Sequence, residues 1–347
     1  MVIEKISIKN FRNLEKIVFF PTENINYIVG DNAQGKTNII EAIYFLTYLK
    51  SFRTNETKNL YNISNKFEID ATIYTNKVKY FLSVSSENKT KKIILNNNRI
   101  NVKKISDFLN IILYYPSEIN LLLKFPSYRR NLIDKSIYIY NPDYVDLHNK
   151  YIKCVKNRNI CLKNNKDDYV WREKLIDLSF YIIRSRLNFI LKINDLLKSL
   201  NIYEKEKYSI SYKTYDITNI KNEMSKHFEN VEKYDRKNGY TSIGPHVENI
   251  DFNLNNKNIN IYGSEGQKKT FLLFYKYAQL LDYKSKKKDY PVFLVDDLTS
   301  ELDKSRETLL LKEILSNCKQ SFITSNIKPH SLSDNTGVFH VEEGMIS

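Results

Sequence analysis

The chain has 347 residues, 42% of them hydrophobic, and a net charge of +14, enough to bury a real core in one large or two modest domains. No run of 18 apolar residues occurs, and the opening MVIEKISIKN carries charges where a signal peptide needs an apolar core, which argues against a membrane span or export and for the cytoplasm. The positive balance favours a polyanionic partner such as nucleic acid, although a chain this rich in Lys, Asn, Ile and Tyr is also what an AT-rich coding sequence produces.

Residues 2–29 read as strands: Ile6 and Ile8 alternate with polar neighbours, KIVFF is stopped by Pro21, and INYIV runs into Gly30. Between the first two, Asn10, Phe11, Arg12 and Asn13 form either a plain hairpin turn or a polar turn that returns to the loop after INYIV. That loop is GDNAQGKT, and Ile39, Ile40, Ile43, Tyr44 and Leu46 follow it at helical spacing. Strand, glycine-rich loop and helix give the P-loop pattern. Backbone N–H groups of Gly30, Asp31, Asn32, Ala33, Gln34 and Gly35 cradle phosphates, Lys36 reaches the outer phosphates, and the Thr37 hydroxyl holds Mg²⁺. Arg12 and Asn13 join them as nucleotide-binding candidates. Arg53, in SFRT, is either a further phosphate contact or a solvated cation.

From Phe67 to Ile105 the pattern alternates, with Asn-rich turns between FEIDATIYT, VKYFLSVSS, KKIILN and NNNRINV, as an antiparallel meander does. After IILYYP the two-residue period is lost, and residues 117–200 show helical spacing with no glycine from Gly35 to Gly239. Arg129, Arg130, Lys153, Lys156, Arg158 and Lys163 make this stretch basic; Arg129, Arg130, Lys153 and Lys156 are DNA-binding candidates. A strand-like KYSISYKTY and a polar helix to about Lys237 complete a helical lobe over 117–238, inserted between 1–116 and 239–347.

The chain has only 8 glycines, two of them in the P-loop and four more crowded between 239 and 266. There IGPH precedes two strand-like runs, IDFNL and NINIY, and then GSEGQKKT opens an apolar helix. Ser264, Gly266 and Gln267 thus offer a hydroxyl, bare amides and a helix dipole to a phosphate supplied from outside. The apolar run PVFLVDD ends in two carboxylates. In a P-loop fold the strand beside the P-loop carries an Asp that binds Mg²⁺, the role given to Asp296, and Asp297 is placed to orient or deprotonate the attacking water. Ser300 and Asp303, in SELD, precede a further helix, and SFITS and VFHVEEG are the closing strands.

The combination of FRNLE, GDNAQGKTN, SFRT, PSEINLL, YRRNLID, IGPH, GSEGQKKT, DDLTSELD and VEEG resembles the RecF family, within the SMC and RecF type of ABC ATPases. The likeness spans nearly the whole chain. It implies an α/β fold: an ABC-type P-loop ATPase head with an antiparallel β-subdomain and an inserted, mainly helical lobe. It also implies ATP and Mg²⁺ held between two copies, with Ser264 and Gly266 of one facing the P-loop of the other and Ser300 and Asp303 as the D-loop. ATP-dependent homodimerisation on double-stranded or gapped DNA, slow and DNA-stimulated hydrolysis, and RecR-like and RecA-pathway partners in SOS-linked repair follow from the same likeness.

Some positions depart from the pattern. Val247, Glu248 and Asn249 follow Gly-Pro-His where acidic residues are usual, and Lys268 and Lys269 replace the arginine type of cation after Gln267. Thr324, Ser325 and Asn326 stand where transporter ATPases place a His, and Asp297 replaces the usual Glu, both of which suggest slow hydrolysis. Ser117 and Glu118 are the candidates for the lobe-joining loop. The alternatives are a nucleotide switch that barely hydrolyses and the ATPase subunit of another ABC-type complex.

Overall fold

The computed structural model describes residues 1–62, 65–200, 206–297, 317–327 and 335–347. These fall into two compact units, Met1–Glu118 with Lys269–Ser347, and Ile119–Lys268.

In the first unit β1 (Val2–Phe11) and β2 (Leu14–Phe19) form a hairpin, and β3 (Ile25–Val29) enters the P-loop, which opens into α1 (Lys36–Tyr48). The meander follows as β4 (Lys66–Thr75), β5 (Val78–Glu87), β6 (Thr90–Leu95) and β7 (Asn98–Arg99). It adds through β4 to β1, making one six-stranded sheet in the order β2-β1-β4-β5-β6-β7. Its tight turns, Asn76-Lys77, Asn88-Lys89 and Asn96-Asn97, hold both residues at positive φ, the geometry that matches strand twist in two-residue hairpins. The strand expected over NNNRINV stops at β7, because the Asn101 side chain accepts the Lys104 N–H and caps α2 (Val102–Ile105) instead. Next, IILY is not a mere boundary: it forms β8 (Ile111–Tyr114), an edge strand of the central sheet, and α3 (Glu118–Lys124) follows.

The second unit holds α4 (Pro126–Tyr138), α5 (Pro142–Lys163), α6 (Tyr169–Ser199), β9 (Tyr208–Tyr212), α7 (Ile220–Asn238), β10 (Ile250–Leu254), β11 (Lys257–Asn258) and α8 (Ile259–Tyr262). Its far boundary lies at Lys268 rather than 238, because β10 pairs antiparallel with β9 from Ile250↔Tyr212 to Leu254↔Tyr208 and so belongs with the helices. NINIY is not a strand, since Asn258 accepts the Asn260 N–H and starts a helical turn. The unit is built around two buried guanidiniums. Arg158 bonds Asp168 at 2.8 Å, Asp235 at 2.6 Å and Thr241 at 3.1 Å, and its guanidinium carbon stands 4.9 Å from the Phe228 ring centroid. Arg186 grips both oxygens of Asp134, at 2.9 and 2.8 Å, and the Pro245 carbonyl at 2.7 Å. Arg158 is therefore internal, not part of a basic surface.

Along α9 (Glu265–Lys287) the chain returns to the first unit, which β12 (Val292–Val295), β13 (Ser321–Ser325), β14 (Gly337–Glu342) and β15 (Met345–Ile346) complete. The central sheet runs β15-β14-β3-β13-β12-β8, parallel throughout except for the β14–β15 pair. Its strands are near-continuous apolar runs, as parallel strands covered on both faces are, and α1 and α9 bury most of their length. Among the described residues no helix is long and apolar enough to cross a membrane.

Replacing Arg158 by Ala strands the buried Asp235 carboxylate, and truncating one partner of such a pair costs about 3–5 kcal/mol. The urea midpoint of Arg158→Ala is expected to fall accordingly, and an unchanged midpoint would contradict the internal role.

Candidate nucleotide-binding site

Parallel register brings the site together. Val29 lies level with Ser325 and Val295 with Ile323, so Gly30, Asp296 and Asn326 all follow strands at one carboxyl edge, where open α/β sheets bind ligands. β13 lies between the P-loop strand and the acidic strand, correcting the expectation that Asp296 sits on the strand beside β3. Asp296 still reaches across: its Oδ1 accepts from Thr37 Oγ1 at 2.9 Å and from Thr324 Oγ1 at 2.8 Å. The Thr324 oxygen also accepts the Asp297 N–H at 2.7 Å, at a residue held left-handed with φ 50°. Burial pushes the Asp296 carboxyl up from its usual range, and the bonds from Thr324 and Thr37 pull it back toward ionisation.

Among the described residues the N–H groups of Gly35, Lys36 and Thr37 have no acceptor. They stand at the start of α1, where orphan donors and the helix dipole suit an anion. Lys36 is buried and donates to Gly30 O at 2.6 Å, Asp31 O at 2.7 Å and Asn326 Oδ1 at 2.9 Å. Burial lowers its ammonium pKa, against the pull of Asp297, Asp31 and Asp296. Bare amides, a desolvated ammonium and a hydroxyl–carboxylate pair are the donor set that a nucleoside triphosphate with a divalent cation requires.

The loop is braced from outside. A Cβ at Gly30 would lie 2.2 Å from Val341 O, and one at Gly344 would lie 2.4 Å from Asn13 O, so backbone runs against backbone at both places. Gly344 and Asn13 Nδ2 both donate to Gln34 O, at 3.0 and 3.2 Å, and Glu343 N–H donates to Gln34 Oε1 at 2.6 Å. The turn containing Asn10 and Asn13 therefore does return to the P-loop. Asn38 Nδ2 donates to Asn13 Oδ1 at 2.7 Å, and Arg53 donates to Asn38 Oδ1 at 2.8 Å. Arg12 points elsewhere, pairing through two N–H groups with Glu41 of α1, which also accepts from Ser51. Glu118 forms an ion pair with Lys276 at 2.8 Å.

In the second unit Ser264 and Gln267 cap α9 reciprocally: Gln267 N–H donates to Ser264 Oγ at 3.2 Å and Ser264 N–H to Gln267 Oε1 at 2.9 Å. Among the described residues a Cβ at Gly266 would meet nothing within 4 Å beyond its chain neighbours and its own helix backbone. Arg129 donates to the carbonyls of Ile250 and Leu122, at 2.6 and 2.9 Å, and Arg130 to that of Glu248 at 3.0 Å. Both guanidiniums are thus engaged inside the unit, while Lys153 and Lys156 are exposed on α5. Ser300 and Asp303 lie outside the described residues.

The family model for the RecF/RecN/SMC N terminal domain matches residues 2–347. The DNA replication and repair protein RecF of Clostridium beijerinckii is 35% identical over 100% of this chain and 98% of its own length. The chain belongs to the RecF family. RecF of Geotalea daltonii is 31% identical, with 100% of both chains covered. A solved structure of the recombination mediator protein RecF-ATP in the RecFOR pathway superposes with a TM-score of 0.89 at 28% identity, covering 100% of this chain and 97% of that one. An SMC head bound to the C-terminal winged-helix domain of ScpA shares the fold, with a TM-score of 0.57 at 16% identity over 100% and 96% of the two chains.

The sequence reading noted Thr324 and Asn326 only as standing where transporter ATPases place a His; it missed Glu41, the Thr324 bonds to Asp296 and Asp297, the Asn326 bond to Lys36 and the bracing by Glu343 and Gly344. Two signals were present: a carboxylate among the apolar residues of α1, and a glycine in a chain with 8 of them. Thr324→Val keeps the shape but removes a bond to Asp296 and orphans the Asp297 N–H, a loss of about 1–3 kcal/mol. Urea unfolding should show that drop for Thr324→Val and near-native stability for Thr324→Ser.

Proposed function

We propose that the chain is an ATP-gated DNA-binding protein of recombinational repair. Two copies pair through Mg²⁺-ATP, the pair holds duplex or gapped DNA, slow hydrolysis releases it, and a RecR-like partner helps direct recombinase to gaps. The observation that carries the reading is the set of N–H groups at Gly35, Lys36 and Thr37, which have no acceptor among the described residues, together with Thr37 Oγ1 donating to Asp296 Oδ1 at 2.9 Å. Relatives named as DNA replication and repair protein RecF, and a solved structure of a recombination mediator protein RecF-ATP, support it.

The residues divide the work. Gly35, Lys36 and Thr37 bind the phosphates by backbone N–H, and Lys36 adds its ammonium. Thr37 and Asp296 would hold the magnesium ion, which when bound neutralises phosphate charge. Asp297 orients the attacking water, its backbone fixed by Thr324. Ser264 and Gly266 of a second copy complete the site: among the described residues there is room where a Gly266 side chain would stand, and the helix behind it is already capped. Lys153 and Lys156, exposed on α5, carry the DNA contact in this reading; Arg129 and Arg130 do not.

Sedimentation with Mg²⁺-ATP and duplex DNA should convert monomer to dimer, and Lys36→Ala should abolish the shift; a monomer under all conditions sinks the reading of an ATP-paired dimer. Asp297→Asn is expected to dimerise with ATP but release DNA at least about tenfold more slowly, a barrier change of about 1.4 kcal/mol. Lys153→Ala with Lys156→Ala should weaken binding to all sequences alike and reduce the salt slope by about 2.

A further inference from the structure

We propose that Tyr234 and Tyr240 form a stacking platform for unpaired DNA bases at the end of a lysine stripe on α5. The inference deepens the reading in which Lys153 and Lys156 meet DNA, and rests on it. Along α5 the exposed residues Lys153, Lys156, Ile160 and Lys163 fall at i, i+3, i+7 and i+10, one face of a helix, and at 1.5 Å per residue the outer two are about 15 Å apart. From 147 to 166 the chain has no Asp or Glu. Among the described residues none of the three lysines has an ion-pair partner. The acidic residues in the last two turns of α7 are already paired, Glu232 with Arg236 at 3.1 Å and Asp235 with Arg158 at 2.6 Å. The stripe therefore presents uncompensated positive charge, which suits a phosphate backbone.

The turn after α7 is fastened to that stripe. Gly239, with φ 69°, ends α7 by donating to Asp235 O at 2.7 Å, and a Cβ there would lie 2.9 Å from Lys163 Cγ. Two residues on, the N–H and the hydroxyl of Thr241 both donate to Asn159 Oδ1, at 2.8 and 2.7 Å. Tyr240 lies between these two attachments to α5. Its hydroxyl meets that of Tyr234 at 2.9 Å, with the ring centroids 6.1 Å apart and the planes at 86°. Tyr234 is 52% exposed and Tyr240 43%, so both rings stand in water although the backbone that carries them is pinned.

Exposed aromatic rings beside a row of cations are the parts that bind a single strand, with phosphates on the lysines and bases stacked on the rings. A base inside a duplex has both faces covered by its neighbours, so only an unpaired base can use the tyrosines. Lysines alone hold duplex and single strand alike. The two hydroxyls are bonded to each other, which leaves stacking, and not hydrogen-bonded readout of base edges, as the mode of contact. Because the turn is already fixed by Asn159 and Asp235, little ordering cost is added when the strand arrives. On a gapped duplex the lysines meet the backbone and the tyrosines meet the bases of the gap.

The test is fluorescence anisotropy of the full chain, in Mg²⁺-ATP, with labelled oligo-dT, an abasic strand of the same length and a blunt duplex, with thermal unfolding to check the fold. The abasic strand keeps the phosphates and lacks the bases, and it should bind at least about tenfold more weakly than oligo-dT. Tyr234→Ala combined with Tyr240→Ala should lose about tenfold for oligo-dT and less than about twofold for the abasic strand and the duplex. Tyr234→Phe combined with Tyr240→Phe, which keeps the rings and removes the hydroxyls, should stay within about twofold of the unaltered chain on all three. Equal binding of oligo-dT and the abasic strand, no loss for the alanine pair, or the same loss on every DNA would overturn the stacking site while leaving DNA binding itself standing. Duplex binding with none to oligo-dT would do the same. A chain that binds none of the three DNAs removes the DNA reading, and the inference with it.

Discussion

A single carboxylate oxygen joins the three parts of the site. Asp296 Oδ1 accepts from Thr37 on α1 and from Thr324 on β13, so phosphate loop, acidic strand and intervening strand share one hydrogen-bonded node. The parallel sheet makes this possible, since Val29 pairs with Ser325 and Val295 with Ile323, which puts the carboxyl ends of β3, β13 and β12 at one edge. Inserting β13 between β3 and β12 does not open the site, because Thr324 spans the extra strand spacing. Burial raises the cost of charge on Asp296, and the two hydroxyl donors keep it usable. A hydroxyl on β13 is therefore as much a requirement of the site as the carboxylate it serves.

The scarcity of glycine has a structural counterpart. Asn76, Asn88, Asn96, Asn97, Asn255 and Asn256 all take positive φ in tight turns, the conformation that Asn tolerates best after glycine. Asn101 and Asn258 cap short helices with their side chains. Glycine is kept where backbone meets backbone, as at Gly30 against Val341 and Gly344 against Asn13. The same substitution explains two errors of the sequence reading. NNNRINV and NINIY look like strands because Asn between apolar residues mimics alternation, yet each contains an Asn that stops pairing by capping a helix.

What the sequence showed was what local pattern and motif spacing encode: the P-loop with its strand and helix, the meander, the helical lobe and the Ser264–Gln267 helix start. What it hid depends on distant pairing. Nothing local marks IILY as a strand of the central sheet, or β13 as lying between β3 and β12. Charge was misleading for a related reason. Arg129, Arg130 and Arg158 read as basic surface, yet Arg158 is buried against Asp168 and Asp235, and the other two satisfy carbonyls. A guanidinium with five donors is well suited to such internal work, whereas Lys153 and Lys156, with compact hydrated charges, stay outside.

The capped start of α9 bears on how a composite site is assembled. Had Ser264 been free, ordering it on contact with a second copy would carry an entropic cost at that moment. Instead Ser264 and Gln267 are fixed by each other, and Gln267 is further held by its Nε2 bond to Glu206 at 3.0 Å. The Ser264 oxygen accepts from Gln267, which leaves its own O–H to donate outward. Beside it Gly266 presents backbone with no side chain, and among the described residues nothing beyond its chain neighbours and its own helix backbone lies within 4 Å of where one would stand. The half that a second copy would contribute is thus pre-organised within one chain, as the P-loop half is by Gln34, Asn13 and Gly344. The N–H groups of Gly35, Lys36 and Thr37, which have no acceptor among the described residues, are the donors that a polyphosphate bridging two such halves would engage.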